Sequence, residues 1–213
     1  MTDQPRISPK MLRSPTLSQG RASSFLRLSQ ALCLALPLAI AGCASPPLKL
    51  YTLAPPQPPV ASTAPATFVQ LTRVTLPDYI DNQSILVRDG SLLKNSSNAR
   101  WAERLSSGIT DLLVADLAAS HPDLLIGRYS VGIPANTRIE VSISRLDITS
   151  TGEATLVAQW AFIPADEKRS IQRGQTVLHL NGATDSSAAI VALTQKIVTE
   201  LSSKISAQLA STM

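Results

Sequence analysis

Cys43 is the residue whose setting most clearly prescribes chemistry. It follows Ile40-Ala41-Gly42 at the close of an apolar run and precedes Ala44, Ser45 and the pair Pro46-Pro47. A thiol is the nucleophile suited to forming a thioether, and small residues before it let a peptidase close on the backbone. Cys33, the other cysteine, lies inside the apolar run and reads as filler. Elsewhere the catalytic signatures fail in turn. No G-x-x-x-x-G-K-[ST] loop and no H-E-x-x-H pair occurs, which excludes P-loop nucleotide hydrolysis and a zincin site. The stretch 127–132, "GRYSVG", misses the G-x-S-x-G elbow by one residue and lacks its strand-to-helix context. His121 stands before Pro122 at the end of a helical pattern, and His179 alternates with Val177; both suit capping or surface placement. Carboxylates are scattered singly, without a paired acid/base site or a metal cluster, and Asp166-Glu167-Lys168-Arg169 reads as a solvated loop. No catalytic, metal-binding or cofactor-binding residue is therefore expected. The chain reads as a binding or structural component, not an enzyme.

The residues ahead of Cys43 supply its context. Arg21 and Arg27 form a basic flank, and 31–42 is an apolar stretch interrupted by Pro37 with small residues at its end, the three parts of a secretory signal. A spanning helix needs about 20 apolar residues, so this run is too short to serve as one. A leader over 1–42 exceeds the roughly 15 to 30 residues usual for such signals, and Met11 is an alternative start. Ile40-Ala41-Gly42-Cys43 resembles a bacterial lipobox. Its thiol would be alkylated by a diacylglyceryl group, and cleavage would expose an amine that is commonly acylated as well. The mature chain would then hold no cysteine for a disulfide, and no cofactor beyond the covalent lipid on Cys43. One acyl chain holds a protein at a membrane only marginally, whereas two or three anchor it durably. Ala44 replaces the aspartate that favours inner-membrane retention, which points to the periplasmic face of the outer membrane. Charge agrees. Arg6, Lys10, Arg13, Arg21 and Arg27 against Asp3 account for the whole net charge of +4, so the remainder is neutral and offers no basic patch for nucleic acid.

The mature chain divides into a proline-rich tether over 43–66 and one domain over 67–213; within the tether 48–53 reads as a first strand, the alternative being an extended link of about 23 residues at roughly 3.1 Å each. Residues 66–76 read as a strand stopped by Pro77, and 84–88 as a second strand ended by Asp89-Gly90. Residues 95–98, "NSSN", read as a loop with Asn98 as helix N-cap. From Arg100 the period changes: Trp101, Leu105, Ile109, Leu112, Leu113 and Leu117 share one helical face, which His121-Pro122 ends. Residues 137–149 alternate, with a shift after Ile143 that predicts a bulge. A turn at 150–152, a strand over 153–163 and another ending at 176–182 complete a meander. The final segment, capped by Asp185, places Ile190, Leu193, Ile197, Leu201, Ile205 and Leu209 at helical spacing. The order predicts an α/β sandwich: a mixed, largely antiparallel sheet packed by two long amphipathic helices.

Three stretches resemble the ABC-type transport auxiliary lipoproteins, the PqiC-like family. They are the lipobox followed by "YTL" at 51–53, "VTLPDYIDNQSILVR" at 74–88, and "RWAERL" at 100–105, which looks like the opening of the family's helix. Pro77, Tyr79, Arg88, Arg100, Trp101 and Glu103 carry the motifs and are the candidate partner-contact residues, with Trp101 read as core. "DNQS" at 81–84 departs from the basic residue and proline expected there. The resemblance implies an outer-membrane accessory subunit of a system moving lipid or other hydrophobic compounds between membranes. Its partners would be a periplasm-spanning MCE-domain protein and an inner-membrane permease or ABC transporter, with a homo-oligomeric ring at the docking end. It also implies a sandwich similar to anticodon-binding and TolB N-terminal domains. The alternatives are a lipoprotein that plugs or escorts a β-barrel, and a lipid-anchored periplasmic hydrolase.

Overall fold

The computed structural model describes residues 46–53, 67–129 and 132–212. Cys43, the leader and the stretch 54–66 lie outside the described residues, and every element below belongs to one compact unit, Pro47–Met213.

Alternating sequence builds the larger sheet. Strands β6 (Thr137–Ile148), β7 (Glu153–Pro164) and β8 (Gln172–Asn181) form the expected antiparallel meander. Ile139, Val141 and Ile143 of β6 and Ala154, Leu156, Ala158, Trp160 and Phe162 of β7 are buried. The register slips between Ile143 and Arg145, so the bulge falls where the alternation breaks. Gly152 turns the chain into β7 at φ 90°, and the carbonyl of Gly182 fills the space a side chain would need there. Strand β2 (Thr67–Leu71) lies parallel to both β6 and a short strand β5 (Leu124–Gly127), giving the order β5-β2-β6-β7-β8.

A second sheet stands where one was expected. Strands β1 (Lys49–Tyr51), β3 (Ser84–Asp89) and β4 (Leu92–Trp101) pair in the order β1-β4-β3, with β1 parallel to β4. A bridge between Arg88 and Thr149 joins β3 to the end of β6. Helices α1 (Leu105–Ser120) and α2 (Ser187–Thr212) pack on each other. Leu105, Ile109, Leu112, Leu113 and Leu117 of α1 are buried, as is the whole expected apolar stripe of α2. The fold is thus mixed α/β, two helices against two sheets.

The largest departure from the sequence reading concerns 92–101. "LLKNSSNARW" is a strand, not a loop followed by a helix start. Asn98 caps nothing, and Arg100 and Trp101 lie on β4. Residues with weak strand preference are held there because β3 pairs with Leu92–Asn95 and Arg100, and β1 with Ala99–Trp101. Trp101 matched the helical stripe by spacing, yet it is buried as a strand residue in register with Tyr51. Helix α1 begins at Leu105, and its opening is set from a distance: the Ser106 N–H donates to Asp81 Oδ1 at 3.2 Å. Asp81 thereby satisfies a first-turn donor that has no intrahelical partner.

Smaller departures have similar causes. Strand β2 ends at Leu71, not at 76, because the Val74 N–H donates to Thr110 Oγ1 of α1 at 3.0 Å instead of to a neighbouring strand. Beyond it, Thr75 still makes an isolated bridge to Ser142. Strand β5 has four residues, too few to show a period. Ser186, not Asp185, caps α2: its Oγ accepts from the Ala189 N–H at 3.2 Å.

Candidate functional site

Two of the six motif residues meet at one place, where the sheets join. Pro77 starts the turn: its carbonyl accepts the N–H groups of Ile80 and Asp81, each at 3.1 Å. That turn presents Tyr79 toward β3 and Asp81 toward α1. Arg88 of β3 reaches Asp147 of β6, with Nη2 at 2.8 Å from Oδ1. Arg145 reaches the same carboxylate from the β6 side, Nε at 2.7 Å from Oδ2. Arg145 and Asp147, two apart on β6, share a face of the strand. Tyr79 adds a long hydroxyl contact to Asp147 at 3.5 Å, and the Arg88 guanidinium lies 5.8 Å from the Tyr79 ring centre, within cation–π range. Asp147 is 6 % exposed between two buried neighbours, Leu146 and Ile148.

Electrostatics decides what this cluster can do. Burial pushes the Asp147 carboxyl up, but hydrogen bonds from Arg88 and Arg145 outweigh it and hold the group below the usual carboxylate range. Burial and the nearby Asp147 charge push the Tyr79 phenol up. Its hydrogen bond to Asp147 holds the Arg88 guanidinium above its usual value. At neutral pH the carboxylate is ionised, the phenol protonated and Arg88 charged. None of these three groups exchanges a proton near neutrality. It is a charged staple between β3 and β6. Arg88 Nε is buried without a hydrogen-bond partner.

The other motif residues lie elsewhere. Arg100 binds its own strand, through Asn95 Oδ1 at 3.3 Å and the carbonyls of Ser96 and Ala99. Trp101 is 4 % exposed in the core. Glu103 precedes Arg104, the N-cap of α1, and lies near Gly108. "DNQS" works locally in this chain: Asp81 holds α1, the Ser84 N–H donates to Asn82 Oδ1 at 2.7 Å, and the Gln83 carbonyl accepts from the Trp101 N–H at 2.8 Å. His121 binds Ser206 Oγ at 2.8 Å, tying the end of α1 to α2, and His179 meets Thr155 Oγ1 at 3.2 Å.

Sequence reasoning missed Asp147, Arg145 and Asp81. A carboxylate between Leu146 and Ile148, just past the break in alternation, is the signal that marks Asp147. An open groove of about 830 Å³ is lined by Arg73, Glu140, Val141, Gln159, Trp160 and Arg173. Its lining mixes charged, polar and apolar side chains. Among the described residues no group of three metal-ligating side chains occurs, and no helix is long and apolar enough to cross a membrane.

Residues 51–206 match the model of the ABC-type transport auxiliary lipoprotein component, and the chain belongs to that family. No curated protein matches the sequence. Two solved structures share the fold. One is a protein of unassigned function, 16 % identical, covering 77 % of this chain and 99 % of its own, with a TM-score of 0.63. The other is protein XCC0632 from Xanthomonas campestris, 16 % identical, covering 78 % and 100 %, with a TM-score of 0.58.

Proposed function

We propose that this chain is a non-enzymatic accessory subunit of an MCE-type system that moves lipid or other hydrophobic compounds between two membranes. It is anchored through lipid on Cys43 to the periplasmic face of the outer membrane. There, as a homo-oligomeric ring, it docks a periplasm-spanning MCE-domain protein served by an inner-membrane permease or ABC transporter. The observation that carries this reading is the family match over 51–206. The lipobox at Ile40–Cys43 supports the anchor. The absence of a group that titrates near neutrality in the Asp147 cluster supports a structural over a catalytic role. Kinship in arrangement with anticodon-binding and TolB N-terminal domains is part of this reading.

Genetic complementation tests it. Deleting the chain should sensitise the cell envelope to detergent, and the wild-type chain should restore resistance while Cys43→Ser, left unprocessed or soluble, should not. Full restoration by Cys43→Ser contradicts the anchored role.

A further inference from the structure

Strand β1 carries an exposed apolar face whose place along the chain specifies what covers it. Its alternation is split: Tyr51 turns inward against the core, while Leu48 and Leu50 are 59 % and 63 % exposed. Side chains two apart in an extended segment share a face, so the two leucines stand side by side. Leu50 is in parallel register with Arg100 of β4, whose guanidinium is held by Asn95 and by carbonyls of its own strand. Lys94 is paired with Asp89 of β3, and Lys49, between the two leucines in sequence, is exposed. A leucine pair beside one exposed lysine suits the boundary between acyl chains and anionic headgroups, where a lysine stem lies along apolar surface with its charge in water.

Distance then selects the occupant. Only four residues lie between Cys43 and Leu48, a reach of at most about 18 Å even fully extended. Pro46 and Pro47 stiffen that short link. A domain held so close at this end cannot carry β1 far from the bilayer.

We propose that the face shared by Leu48 and by Leu50 of β1 rests on the membrane surface, against anionic phospholipid headgroups, and fixes the orientation of the anchored domain. The inference rests on lipidation of Cys43, part of the reading above.

The test uses the full, processed protein. A leader that is removed and a thioether at Cys43 leave no reactive thiol, so Leu48→Cys, Leu50→Cys and, as a control, Val177→Cys each introduce one labelling site. Val177 is equally exposed, at 58 %, on the edge strand β8. Each variant receives an environment-sensitive fluorophore and is reconstituted into phosphatidylethanolamine–phosphatidylglycerol vesicles containing a headgroup-level nitroxide lipid. Quenching should be several-fold stronger at positions 48 and 50 than at 177, and should weaken when phosphatidylglycerol is omitted. Equal quenching at all three positions, with the Cys43 lipid present by mass spectrometry, overturns the membrane contact and leaves the anchor standing. Shielding at 48 and 50 in detergent that grows with protein concentration assigns the face to a second copy and overturns the proposal. Protein whose Cys43 carries no lipid overturns both readings.

Discussion

Asp147 holds two arginines that would otherwise repel one another, and its own charge survives burial only because they are there. Removing one partner from such a buried pair costs about 3 kcal/mol, since the other charge is left uncompensated. Asp147→Asn should therefore destabilise the domain by roughly that amount at pH 7, measured by denaturant unfolding. The dependence on pH has a definite sign. The folded value lies below the unfolded one near 3.9, so the stabilisation is complete above about pH 4 and fades as pH falls through the folded value. The gap between wild type and Asp147→Asn should shrink below about pH 4; an equal gap at pH 7 and pH 3 would contradict the ionised staple. Trp101 makes a simpler case. It is buried on β4, and Trp101→Ala should cost about 3 to 5 kcal/mol through lost contacts and the cavity left behind. Loss of partner binding in a variant of unchanged stability would move Trp101 from the core to an interface.

At the scale of elements, β7, β8 and α2 are locked at one point. Gly174 of β8 stands opposite Trp160 of β7. The indole N–H donates to Gln208 Oε1 of α2 at 2.9 Å, and Gln208 Nε2 donates to the Arg173 carbonyl at 3.2 Å. A Cβ at 174 would collide with the Trp160 ring and with Gln208. Gly174→Ala should cost about 1 to 3 kcal/mol by overpacking, read as a lowered melting temperature, whereas a neutral or stabilising change would show that the ring has room to move. These elements were legible in the sequence because their apolar periods are long and unbroken: five alternating residues on β7, and six helical positions on α2. Strand β4 was not legible. The turn at Asp89-Gly90 that folds it back on β3 read only as the end of a strand, its pairing with β1 joins residues fifty apart, and "NSSN" prefers a loop. The start of α1 was lost for the same reason. Its capping acid, Asp81, belongs to a turn more than twenty residues upstream of Ser106, beyond the reach of local capping rules.

For the molecule as a whole, residue order alone confines the excess charge to residues 1–42 and leaves the remainder neutral. The proposed lipid anchor at Cys43 is likewise read from residue order, so no tertiary contact bears on it. The motif residues were less transparent. Tyr79 and Arg88, close in sequence, were legible as a motif, but not as a staple, because Asp147 completes it only once β3 has been brought against β6. Arg100, Trp101 and Glu103 divide among a strand, the core and a helix approach. The motifs therefore build the join between the two sheets and the entry to α1, and outward-facing side chains remain the place to seek partner contact. Crosslinking in intact cells, with a C-terminal tag and mass spectrometry of captured proteins, tests the docking claim most directly. The account predicts recovery of an MCE-domain protein; recovery of only a β-barrel, or of nothing reproducible, would contradict it.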